Sequence, residues 1–151
     1  MNTSNVHELG LLSLVYVSRS CLALDGEADT VKQIVRTATA RNKSLRVTGA
    51  LIYTELYFAQ MLEGPSHAVN ELMSSIRRDA RHSDVTVVAE HRQSMRRFEN
   101  WAMAYGGPSP HLDRYIKPLM SPAISRMERS SLVDRLMTIM QPPQAEKMKL
   151  A

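Results

Sequence analysis

The sequence predicts an α+β sandwich: one β-sheet with two helices on the same side and a helical extension at the C-terminus. Three observations carry this. Short β-branched, apolar runs recur at 11–18, 47–53, 57–63, 84–90 and 98–105, each of strand length. Between them, two stretches repeat apolar residues at i, i+3, i+4 and i+7, the spacing of one helix face. The chain has 151 residues, 44% of them hydrophobic, which suits one domain with a short appendage and a core of its own.

The first strand is Leu11 to Ser18, bounded by a polar stretch with Asp25-Gly26 as its turn signal. Asp29 or Thr30 is placed to cap the next helix, whose buried face is Val31, Ile34, Val35 and Ala38 and which fades near Asn42 to Ser44. Val47–Tyr53 and Tyr57–Glu63 are separated only by Thr54-Glu55-Leu56, so they form an antiparallel hairpin. Gly64-Pro65 opens the second helix, with Pro65 at its first position and Val69, Leu72, Met73 and Ile76 on its inner face. Asp84–Glu90 is the fourth strand and Phe98–Tyr105 the fifth, ended by Gly106-Gly107-Pro108. The order is βαββαββ, a ferredoxin-like sandwich. His111 to Leu119 is a short helix, and Pro122 opens another with the stripe Val133, Leu136, Met137 and Met140. That stripe is expected to dock on the free face of the sheet. Seven of the ten methionines lie after position 90, and such pliable side chains also suit a surface that repacks against a partner. Gln141-Pro142-Pro143 stops the helix before a tail. The expected boundaries are 11–105 for the domain, 106–140 for the helical extension and 141–151 for the tail.

Composition excludes several classes. Cys21 is the sole cysteine, so no disulfide forms within the chain. The longest apolar stretch, Leu11 to Val17, falls well short of a membrane span, and the first ten residues carry no Lys or Arg. A cytoplasmic protein is expected. The formal charge of +4 raises the prospect of an acidic partner such as a phosphate, a nucleic acid or an anionic cofactor. His7, His67, His82, His91 and His111 stand singly, without metal-ligand spacing. Neither GxGxxG nor GxxxxGK[ST] is present.

Polar residues inside apolar strands are more informative. Tyr16 and Ser18 share one face of the first strand by the period of two. Gln60 stands between Phe58 and Leu62 on one face of the third, and a buried amide needs specific partners for all its hydrogen-bonding positions. Asn42 falls at the end of the first helix, and Trp101 and Met103 share a face of the fifth strand.

Together these residues resemble the BLUF domain, a blue-light sensor that uses FAD. The similarity runs from about Leu11 to Tyr105. Its anchors are Leu14-Val15-Tyr16-Val17-Ser18, Asn42 with Val47-Thr48-Gly49, Phe58-Ala59-Gln60-Met61-Leu62-Glu63-Gly64, Asp79-Ala80-Arg81-His82 and Arg97-Phe98-Glu99-Asn100-Trp101-Ala102-Met103. Asn42 and Gln60 stand 18 residues apart, as the family has them. The resemblance implies FAD held noncovalently between the two helices, its ring sandwiched by Ile34 and Ile76. It implies Asn42 on the ring's polar edge, Asp79, Arg81 and His82 on the ring and its side chain, and Ser18 and Phe58 in the same site. Tyr16 is then the expected electron donor, Gln60 the relay, and the strand with Trp101 and Met103 the output. Two positions depart from the family: Ser75 stands where an Arg is common, and Ala38 where a Ser is common.

The reading is therefore a photoreceptor and not an enzyme. After Tyr105 only 46 residues remain, fewer than an effector domain of usual size, so a downstream effector protein acting in trans is expected, along with a homo-oligomer. The alternative is a basic ferredoxin-like nucleic-acid-binding module, which would need aromatics on an open sheet face. A hydrolase of acylphosphatase type on the same fold lacks its glycine-rich anion loop.

Overall fold

The apolar run at the N-terminal end forms β1, Leu11–Ser20. Helix α1 follows at Glu27–Ser44, then β2 at Thr48–Tyr53 and β3 at Tyr57–Pro65. Helix α2 is Ser66–Arg78, β4 is His82–Gln93 and β5 is Trp101–Gly106. Helix α3, Pro110–Ile116, runs into a 3₁₀ turn at Lys117–Met120, and α4 spans Arg126–Met140. The computed structural model describes residues 10–22, 27–99, 101–106 and 110–141, without the side chains of 27–32, 35 and 101–106. The Asp25-Gly26 turn, the cap at Asp29 or Thr30, the side chains of Val31, Val35, Trp101 and Met103, Asn100, the Gly107-Pro108 stop and the 142–151 tail lie outside the described residues.

The strand order is β4-β1-β3-β2-β5. β1 pairs antiparallel with β3 and β4, and β2 antiparallel with β3, which is the ferredoxin-like arrangement. β5 adds a fifth strand parallel to β2. The three-residue connection at Thr54 does close an antiparallel hairpin, with the Thr54 amide donating to the Tyr57 carbonyl at 2.9 Å. Gly49 is obligatory in it, because a Cβ there would lie 1.9 Å from the Met61 carbonyl oxygen of β3.

Several boundaries differ from the sequence expectation. β4 starts at His82 and ends at Gln93, longer than 84–90, because β1 pairs with it from Ser20↔His82 to Leu11↔Gln93, with irregularities between Val15 and Tyr16 and between Val17 and Arg19. β5 starts at Trp101, not Phe98. The Glu63 carboxylate takes the Arg97 and Phe98 amides that a ladder would otherwise need. Pro65 is the last residue of β3, still paired with Leu11, and stands at the N-cap of α2 rather than inside it. Pro122 lies in a turn, and α4 opens four residues later, where the Ser125 hydroxyl accepts the Glu128 amide at 3.1 Å.

Both sheet faces are covered. Leu12, Leu14, Tyr16 and Leu62 pack against Ala68, Val69, Leu72 and Met73 of α2. On the opposite face Val15, Val17, Ala50, Ile52, Ala59 and Met61 form one cluster with Leu112, Ile116, Leu119 and the α4 stripe Val133, Leu136, Met137 and Met140. Each such large side chain contributes about 1.5–3 kcal/mol on burial, before ordering entropy. The C-terminal helices thus cover the free face of the sheet, as the stripe Val133, Leu136, Met137 and Met140 predicts. Among the described residues no helix is long and apolar enough to cross a membrane.

Candidate functional site

Tyr16 and Gln60 are direct cross-strand partners on β1 and β3, so the pleat puts both side chains on the face that carries α1 and α2. The Tyr16 phenol donates a hydrogen bond to Gln60 Oε1. Tyr16 is 1% exposed, so water cannot replace that acceptor. Burial, and then the negative charge of Asp79, push the Tyr16 phenol far above the ordinary tyrosine range. It keeps its proton in the resting protein and remains a donor.

This pair forms the floor of a cleft of about 120 Å³ that opens between the two helices. Helix α1 lines one wall with Ile34, Ala38, Arg41 and Asn42, and α2 the other with Leu72, Ser75 and Ile76. Phe58 and Gln60 from β3, and Asp79, Arg81 and His82 after α2, complete it. Ile34 and Ile76 therefore face one cleft from two helices, because both lie on the inner stripes read from the helical period.

His82 packs its ring 4.5 Å from that of Phe58 and edge-on to Tyr16 at 6.2 Å, centroid to centroid. Its Nδ1 lies 2.9 Å from the Ser18 hydroxyl, which is how Ser18 joins the site. Burial lowers the His82 pKa, against an upward pull from Asp79 and with a smaller downward push from Arg81, so the ring is neutral at neutral pH. Arg81 turns its fork onto Asp79, Nη2 to Oδ2 at 2.6 Å, and this bond holds the Asp79 carboxyl below the usual carboxylate range.

Asn42 lies in the last turn of α1, is buried, and leaves its Nδ2 without a hydrogen-bond partner. An orphaned buried donor is costly, so its presence in the cleft wall points to a ligand acceptor. The residues fit a flavin ring: two branched aliphatic side chains for its flat faces, a free amide donor for its polar edge, and a Tyr–Gln pair beneath. Among the described residues no group of His, Cys, Asp or Glu could hold a metal ion.

Sequence reasoning missed Arg41. Its Nη2 donates to the Ser75 hydroxyl at 2.6 Å, joining α1 to α2 at the cleft. The signal was present, since Arg41 stands at i+7 from Ile34. An Arg thus reaches the position of Ser75 from the first helix, whereas Arg77 goes instead to the Val85 carbonyl at 3.2 Å. Thr37, Leu51 and Leu62 also line the cleft. In backbone register Trp101 pairs with Gly49 and Met103 with Leu51, and Leu51 in turn with Gln60. Met103 thus shares a cross-strand row with Gln60.

A ferredoxin-like sheet with a half-apolar cleft under two helices and a buried Tyr–Gln pair at its base defines a small-molecule-binding α+β module. The comparisons narrow this: the chain belongs to the BLUF family, sensors of blue-light using FAD, whose model matches residues 11–104. The chain is 42% identical over 78 residues to photoactivated adenylate cyclase subunit beta of Euglena longa, a match covering 52% of this chain and 9% of that protein. It is 32% identical over 88 residues to the blue light- and temperature-regulated antirepressor BluF of Escherichia coli (strain K12), covering 58% of this chain and 21% of that one. Its match thus spans less than a quarter of either relative. Among solved structures it resembles the dark state of BlrB, a BLUF protein, with a TM-score of 0.64 and 34% identity over 86% of this chain and 96% of that one.

Proposed function

We propose that this chain is a blue-light sensor that holds FAD in the cleft and uses Tyr16 and Gln60 as its photochemical relay. The observation that carries this is the buried Tyr16–Gln60 hydrogen bond at the base of a cleft whose wall presents the unpartnered Asn42 amide. Bound FAD would supply the light absorption and, when excited, the oxidising power. Tyr16 would be the donor of one electron to it, and its phenol, protonated at rest and hydrogen-bonded to the Gln60 oxygen, would pass its proton to that amide; both would return to Tyr16 on recombination, so nothing is consumed. Gln60 suits this because one amide carries both acceptor and donor groups. Rotation or a tautomer change of that amide alters which group it offers to Tyr16 and which to the cleft. Asn42, Arg41, Asp79, Arg81 and His82 hold and orient the ring and its chain, with Ile34 and Ile76 excluding water from its faces. No substrate is turned over, so the reading is of a sensor and not an enzyme.

The signal passes through β5 to α3 and α4 and from there to a separate partner protein. The E. coli relative, described as an antirepressor, supports an output of that kind. The nucleic-acid alternative loses its platform, because both sheet faces are covered among the described residues.

The test is optical. Protein supplied with FAD is expected to be yellow and to shift its absorption reversibly to the red under blue light; a colourless or photochemically silent product overturns the reading. Pull-downs in light and dark, together with light scattering for oligomeric state, address the partner. Identical captured sets under both conditions count against signalling in trans.

A further inference from the structure

We propose that Glu63 is a positioning residue that fastens the strand carrying Gln60 to the segment leading into β5 and α4, so that rearrangement at the relay reaches the C-terminal helices. This rests on the sensor reading above.

Glu63 is 0% exposed, and it stands three residues after Gln60 on β3. Side chains alternate along a strand, so its carboxylate lies on the face opposite the cleft, where the C-terminal helices pack. There Oε1 accepts the Phe98 amide at 2.8 Å, both oxygens stand 2.9 Å from the Arg97 amide, and Oε2 accepts from the Gln93 side chain. The Glu63 backbone carbonyl takes Arg96 Nη1 at 2.8 Å. The same guanidinium reaches the Thr48 hydroxyl at 2.9 Å and the Arg46 carbonyl at 2.7 Å. The last residue of β4 and three residues of the link to β5 are thus tied to β3 and to the start of β2.

The far side of the link touches the output helix. Phe98 is buried in the cluster that holds Val133, Leu136, Met137 and Met140, and Arg97 lies beside Asp134 and Met137. A continuous route therefore runs along β3 from Gln60 to Glu63, through the Arg97 and Phe98 amides, and into α4. Among the described residues the Glu63 carboxyl makes no ion pair; amide N–H donors take its oxygens instead. An apolar side chain would fill the site at lower desolvation cost, but could hold none of these donors.

The experiment compares the flavin-loaded 151-residue chain, wild type and Glu63→Gln. The amide keeps the volume but turns one acceptor into a donor facing other N–H donors. The red shift is expected to survive, while the light-minus-dark change in hydrogen exchange across α4 shrinks at least about fivefold, the effect of one lost buried hydrogen bond in one of the two states. A change across α4 equal to that of wild type overturns the proposal. Arg96→Met loosens the same link from its partly exposed side and answers the question if Glu63→Gln does not fold: it must reduce the same difference, and an unaltered difference overturns the proposal. A wild type that shifts its spectrum without any change in α4 refutes the coupling alone, whereas a wild type with no shift refutes the sensor reading beneath it.

Discussion

Replacing Gln60 by Leu separates chemistry from packing. The side chains are similar in size, so Leu fills the space beneath the cleft, but the Tyr16 phenol loses its acceptor. With Tyr16 1% exposed, that donor is stranded, at a cost of about 1–3 kcal/mol. For a chain of this length each kcal/mol lowers the melting temperature by about 2–4 °C, so a drop of about 2–12 °C is expected in the flavin-free protein. Tyr16→Phe leaves the buried Gln60 oxygen without its donor and should also lower stability. The double variant Tyr16→Phe/Gln60→Leu leaves neither polar group unpaired and should be more stable than the sum of the two losses implies. Thermal unfolding of the four proteins measures this cycle. In parallel, flavin-loaded Gln60→Leu should remain yellow and show no red shift under blue light. A full shift in Gln60→Leu would refute the relay. Strictly additive losses would refute the buried hydrogen bond on which it rests.

Gly49→Ala sets a methyl against the Met61 carbonyl at 1.9 Å and should cost more than about 3 kcal/mol in chemical denaturation, or prevent folding. His82 has a folded pKa below its unfolded value near 6.5, so the unfolded chain binds the extra proton first. Stability is therefore full above that value and falls as pH drops below it, by up to about 1.4 kcal/mol per pH unit; His82→Gln should flatten a melting curve measured from pH 7 to pH 5. Ser125→Ala removes the cap on the Glu128 amide and should lower stability by about 1 kcal/mol, read as increased exchange in the first turn of α4.

Much of this protein was legible before any coordinates. Apolar periodicity placed β1, β2, β3, the inner face of α2 and Ile34 and Ala38 of α1, because burial selects side chains at intervals the backbone fixes. The same periods put Tyr16, Gln60, Ile34 and Ile76 on faces that could meet. The boundaries of β4 and β5 were not legible, since pairing with β1 and the Glu63 anchor set them through contacts remote in sequence. Arg41 sits on the right face, but its partner Ser75 is brought beside it only by the fold, from 34 residues away. The orphaned Asn42 amide is likewise invisible in sequence, because whether a polar group has a partner depends on every chain segment that reaches it. Local pattern thus determined the elements and the faces they bury. Only the tertiary fold decided which polar atoms meet and which are left without a partner, because hydrogen bonding acts over a few ångströms between residues the chain holds far apart.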